Sequence, residues 1–235
     1  TQVTTVVRRR LFGLFCGLVC FFNLARIGFA PVLDAFTADF GSGEATAGLS
    51  VTLAWVGSAS LRLPAGWLLT KVPRHYLVII SGTILVLSAA AAGAAVTVRQ
   101  LMIGAFFMGT ASGVYFVSAN PLLSELFPDR VGRVMGIHGA ATQIAAVAAA
   151  PLVAVSLWID WRFALWAIAV GTAIVIIATV VVARQTEMPA AGENDRSLLA
   201  GARSEWRIIL AALALAGVAV FVWQGVFNFY ELYMQ

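Results

Sequence analysis

The chain has 235 residues, 61% of them hydrophobic and only 11% charged, with a mean hydropathy of +0.92. Soluble domains carry about 25% charged residues, so this composition excludes an ordinary water-soluble globule and points to a bilayer. The net charge of +4 would suit nucleic acid, but the placement of the cations traces it to membrane topology, and no nucleic-acid partner is expected.

A helix crosses about 30 Å of hydrocarbon with roughly 20 residues. The first apolar run, 11–35, follows Arg8, Arg9 and Arg10. It is longer than the roughly 7–15 residues of a secretory signal core, so it reads as a membrane helix retained in the protein. Cys16 and Cys20 lie one turn apart in it with no His or further Cys near by. They read as buried small residues; no metal site and no cofactor are expected. The same run holds Asn23 and Arg26, which share a face. An isolated charge at that depth costs at least about 2.5 kcal/mol, so Arg26 needs a partner (Asp34 is the candidate), a water-filled cavity or a ligand. The second run, 46–70, contains Arg62. The third to sixth are 76–97, 101–126, 134–157 and 162–183, rich in the Gly, Ala and Ser that close helix packing in lipid favours. A polar segment, 184–206, separates them from a seventh run, 207–233.

With the N-terminus inside, the cytoplasmic segments hold Arg8, Arg9, Arg10, Lys71, Arg74, Arg130, Arg133, Arg184, Arg196, Arg203 and Arg207, and the outer ones only Arg99 and Arg162. That asymmetry over short loops predicts a multi-pass protein of the cell membrane with a cytoplasmic N-terminus. It opposes a G-protein-coupled receptor. A retinal protein needs a lysine in its last helix, and the one lysine, Lys71, is in a loop. The chain stops directly after the seventh run, so a piece of something longer is expected.

The segment "RLPAGWLLTKVPRH", Arg62 to His75, resembles the signature of the major facilitator superfamily, with Gly66, Lys71, Pro73, Arg74 and His75 in its places and Thr70 where that family has Asp. Gly66 reads as a site of close packing at the helix end and Pro73 as the turn. "AFFMGTASGVYF" has that family's two glycines four apart, Gly109 and Gly113. "SELFPDRVGRVMGI" is similar to its loop between helices 4 and 5, with Glu125, Arg130 and Arg133 in the usual places, and "AVAAAPLVA" and "DWRFALW" add further likeness. The resemblance runs from helix 1 to the start of helix 7. It implies an all-α membrane protein, seven spans present of twelve, in two six-helix halves that rock about a central site. Residues 1–183 would be the N-terminal bundle, 184–206 the cytoplasmic linker and 207–235 the first helix of the second bundle.

In that fold helices 1, 4, 7 and 10 line the cavity. Asn23, Tyr115, Gln143 and Gln224 fall near mid-span, and Arg26, Ser118, Asn120 and Asn228 extend the polar set. Helix 1, "NLARIGFAP", is similar to that of organophosphate antiporters, and Arg62 to the helix 2 arginine of nitrate porters, whose helix 5 signature is absent. Counted along the helices, Arg62 is about 12 Å and Arg26 about 22 Å from the cytoplasmic end, which separates them. His138, at the start of helix 5, reads as a packing or solvated residue rather than a proton relay. The expectation is a monomeric secondary transporter of a small organic or inorganic anion, with or without a coupling ion. Efflux of apolar compounds and a transporter-like sensor are the alternatives. An intramembrane serine protease built on Ser112 fails because neither His75 nor His138 is mid-span. With no Gly-rich Lys-Ser/Thr loop, ATP hydrolysis by this chain is not expected.

Overall fold

A computed structural model describes residues 2–27, 33–186, 188–189 and 203–233, and every element among them is helical. In chain order these are α1 (Gln2–Ile27), α2 (Leu33–Phe40), α3 (Glu44–Ser60), α4 (Arg62–Leu68), α5 (Arg74–Gly93), α6 (Val98–Leu126), α7 (Val131–Ile159), α8 (Arg162–Ala183) and α9 (Trp206–Tyr233). The chain forms two compact units, Thr1–Gly192 and Glu193–Gln235. The second contains α9, whose stretch Trp206–Ala219 is apolar apart from Arg207.

Among the described residues, five helices are long and apolar enough to cross a membrane: Val6–Ile27, Arg74–Gly93, Val98–Leu126, Pro128–Ser156 and Arg162–Ala183. The predicted second span, 46–70, is instead two helices that meet at Leu61 (φ −98°, ψ 6°). Pro64 accounts for the break: it has no N–H for the Ser60 carbonyl, and its ring collides with that carbonyl in a continuous helix. Pro73 does end the next connection as expected, standing extended (φ −54°, ψ 135°) in front of α5. α6 starts at a side-chain cap, with the Thr97 hydroxyl accepting from Gln100 N–H at 3.3 Å, while Gln100 Oε1 accepts from Val96 N–H at 2.9 Å.

In the first unit α6 is the central helix, packed on α1, α3, α4, α5 and α7. Gly109 faces the backbone of Ala54 and Gly113 that of Ser58, so α6 and α3 run parallel with their main chains in contact. Arg8 of α1 meets Leu126, and Phe15 meets Tyr115, so α1 runs antiparallel to both. Gly66 does not have its expected role within this unit. A Cβ built there meets nothing within 4 Å; the buried contact of α4 is made by its neighbour Ala65, against Leu77 and Val114.

At the end of the bundle opposite the N-terminus, Arg162 ties three segments together. It pairs with Asp39 at 2.8 Å and Asp160 at 3.5 Å, donates to the Ala95 carbonyl at 3.2 Å and stacks on Trp161 at 4.3 Å. Trp161 in turn donates to Asp39 at 3.3 Å and packs edge-on against Phe36. The pairs are partly exposed, which limits each to about 1 kcal/mol or less, but one guanidinium serving several acceptors adds them. Arg162→Ala is expected to lower stability by about 1–2 kcal/mol; an unchanged thermal midpoint in detergent would show the clasp to be ornamental.

Candidate substrate site

Side chains in an α-helix lean toward its N-terminus. α1 and α3–α4 are antiparallel, so Arg26 leans back along α1 while Arg62 leans the other way, and the two approach in depth. Arg26 Nη2 donates to Asn23 Oδ1, one turn back, at 2.9 Å. Arg62 Nε donates to the Ser58 carbonyl at 3.1 Å, also one turn back, and its Nη2 reaches the Ser58 hydroxyl at 3.4 Å. The charge of Arg62 acts on the Arg26 guanidinium. The lean of the two side chains narrows the separation counted along the backbones, which took no account of it.

The Arg26 guanidinium lies over the Trp55 ring, 4.7 Å from its centroid, with Phe116 at 5.6 Å. Both are attractive cation–π contacts, worth about 0.5–2 kcal/mol each according to desolvation. Its Nε is buried without a hydrogen-bond partner, and among the described residues it forms no ion pair with a carboxylate. The Asp34 side chain lies outside the described residues. Asn23, buried, is itself fixed: its Nδ2 donates to the Thr142 carbonyl of α7 at 2.8 Å, which turns Oδ1 toward Arg26.

Below this slot the bundle is closed by hydrogen bonds. Tyr115, fully buried, is stacked on Phe22 with centroids 4.2 Å apart. Its hydroxyl lies 2.8 Å from the Phe15 carbonyl and 3.1 Å from His138 Nε2. His138 is 3% exposed, so of its two expected roles the packing one describes this structure. The Ser118 hydroxyl, also buried, is spent on the Val114 carbonyl of its own helix at 2.8 Å. In this conformation Tyr115 and Ser118 form the wall behind the site rather than its surface. Gln143 is exposed, next to Thr142, and Asn120 is exposed on α6. The Gln224 and Asn228 side chains lie outside the described residues.

The loop residues gather elsewhere. Arg74, at the start of α5, forms an ion pair with Glu125, near the end of α6. Lys71 lies over Trp67 at 4.1 Å, and the Thr70 hydroxyl donates to the Trp67 carbonyl at 2.7 Å, so Thr70 closes its own turn. Arg130 and Arg133 flank the start of α7, Arg133 exposed.

A sequence model of the Major Facilitator Superfamily matches residues 14–235. The chain belongs to this superfamily. Among solved structures, a POT family transporter in complex with a thioalcohol-conjugated peptide superposes with a TM-score of 0.68 at 12% identity, over 95% of this chain and 47% of that one. The peptide transporter POT in complex with sulfate gives 0.67 at 14%, over 93% and 46%. A bacterial homologue of the human lysosomal transporter Spinster, inward-facing and unoccupied, gives 0.62 at 16%, over 83% and 45%. At these identities the likeness is one of fold, and the chain spans about half the length of each structure. No curated protein matches it. As a superfamily member the chain is a multi-pass membrane protein.

Trp55, Phe116 and Thr142 were not among the residues expected to bind an anion, although Trp55 and Phe116 are aromatic residues of the kind that favour the efflux alternative. Trp55 was within reach of the depth count, since it lies roughly 15 residues before the end of the second span and Arg26 roughly 15 into the first. Thr142 acts through its carbonyl, which every residue carries and no sequence signal marks.

Proposed function

We propose that the chain is the first half, with the first helix of the second, of a twelve-helix secondary transporter that works by alternating access on a small organic or inorganic anion. In this reading 1–183 is the N-terminal bundle, 184–206 the cytoplasmic linker and 207–235 the opening helix of the other bundle. The seven spans are the five long helices, the Pro64-broken pair α3–α4 and α9. The positive-inside bias supports a cytoplasmic N-terminus in the cell membrane.

The observation that carries the anion is Arg26. A guanidinium cannot be neutralised, and here it is oriented by Asn23, faced by two aromatic rings and left without a carboxylate among the described residues, with a second guanidinium near it. Arg62 adds to the positive potential at Arg26, and a bound anion offsets that potential while satisfying the free Arg26 donor. Sulfate in one of the similar structures is an anion of this class.

The test is thermal unfolding of the full-length protein in detergent with sulfate, phosphate, nitrate, small carboxylates and lipophilic cations. An anion at about 100 times its dissociation constant is expected to add roughly 2.7 kcal/mol to the native state. Stabilisation by lipophilic cations instead would favour efflux of apolar compounds. No shift with any compound would favour a sensor.

A further inference from the structure

We propose that the cavity between the start of α1, the end of α6 and the turn into α7 binds the phosphate of an anionic phospholipid headgroup. The cavity has a volume of about 310 Å³ and is walled by Arg8 and Arg9 of α1, by Leu126 and Phe127 at the end of α6, and by Asp129 and Arg130 of the following turn. Three guanidiniums face one carboxylate. Among the described residues none of Arg8, Arg9 and Arg130 takes part in an ion pair. Arg8 gives one Nη1 hydrogen to the Leu126 carbonyl at 3.4 Å, capping α6, and its Nε is buried without a partner.

The start of α7 strengthens the field. Arg130 is its N-cap and makes no side-chain cap hydrogen bond, and no acidic residue stands in the first turn. The positive end of a 29-residue helix therefore borders a cavity that is already basic. Phe12 against Phe127, edge-on at 5.7 Å, pins the turn to α1 and keeps the cavity formed.

Depth selects a lipid over a soluble phosphate. The apolar spans of all three walls begin or end at this level: one starts at Val6, another ends at Leu126 and the third starts at Pro128. The cations thus stand where hydrocarbon gives way to headgroups, the position at which basic pockets between membrane helices hold anionic lipid. None of these residues belongs to the Arg26 slot, so this site stands or falls apart from the transport reading.

The test is native mass spectrometry of the full-length protein in a neutral detergent, titrated with palmitoyl-oleoyl phosphatidylglycerol and, separately, with the phosphatidylcholine of the same chains. The wild type is expected to retain one phosphatidylglycerol per chain in preference to phosphatidylcholine. Replacing Arg9 and Arg130 together by Gln should weaken retention roughly thirtyfold, about fivefold for each arginine at the membrane surface; Arg8 is left in place because it caps α6. Asp129→Asn removes the one opposing charge and should tighten retention about fivefold, a gain that misfolding cannot imitate. Equal retention by wild type and both variants would overturn the proposal. So would competition by a large excess of inorganic phosphate that removes the bound lipid, since the site would then serve a soluble anion.

Discussion

Arg26→Ala is expected to reduce substrate uptake into proteoliposomes by at least about 100-fold while leaving the substrate-free protein as stable as the wild type, or more so. The two halves of that outcome come from different terms. A charge-assisted hydrogen bond to a bound anion is worth about 1.5–3 kcal/mol, so losing the two that a planar guanidinium offers costs about 3 kcal/mol or more, which is the stated factor. Stability moves the other way. Removing a guanidinium from water costs several kcal/mol, and Arg26 recovers part of it from Asn23 and from the Trp55 and Phe116 faces, with no carboxylate opposite among the described residues. Deleting the side chain removes both the penalty and the compensation, and it also ends the repulsion from Arg62.

Arg26→Lys separates charge from shape. Lysine keeps the cation but loses the flat surface that lies on Trp55 and the paired donors that match an oxyanion, so uptake is expected to fall about tenfold and anion-induced stabilisation to shrink but persist. A purely structural Arg26 predicts a different pattern. Alanine would then lower the thermal midpoint by several degrees, and residual uptake would follow the amount of folded protein. Measuring uptake per folded transporter alongside the apo midpoint distinguishes the two.

What the sequence made legible here was set by the range of the physics involved. Hydropathy and the distribution of arginines are summed over many residues, so the helical membrane class and the membership suggested by the Gly66-to-His75 and Gly109-to-Gly113 segments survived the comparison. The Asn23–Arg26 pair was legible too, because three residues on one helix is a local geometry. The split at Leu61 could have been read from Pro64, but hydropathy alone ran straight through it. Counting backbone rises left out the lean of Arg26 and Arg62 toward each other in depth, which follows from side chains pointing toward the N-termini of two antiparallel helices. The closed Tyr115–His138 contact was not legible, because it depends on how α6 and α7 are rotated about their axes against α1, and no single segment encodes that.

Gly109→Leu is expected to leave no correctly folded protein, and Gly109→Ala to destabilise by about 3 kcal/mol or more. A Cβ at Gly109 would collide with the carbonyl of Ala54 and lie 2.7 Å from its carbon and 2.9 Å from its Cα; at Gly113 the Ser58 carbonyl carbon is 3.0 Å away, and from the other side a Cβ on Gly57 would meet Phe106 and Thr110 backbone at 3.0 and 3.1 Å. These are main-chain atoms of a packed helix and cannot rotate aside, so α6 and α3 must separate, opening voids along the most buried helix of the bundle. Gly66 supplies the opposite control. It is helical, and a methyl there meets no neighbour, so alanine should be neutral or gain up to about 1 kcal/mol from helix propensity alone. Function follows the same geometry. Trp55 lies next to Ala54 on α3, Phe116 lies one turn beyond Gly113 on α6, and Arg26 is held between those two rings. Any Gly109→Ala protein that still folds should therefore bind the proposed anion more weakly as well as melt earlier, whereas Gly66→Ala should bind as the wild type does. Equal thermal midpoints for the two alanine variants would mean that α6 and α3 are not in main-chain contact.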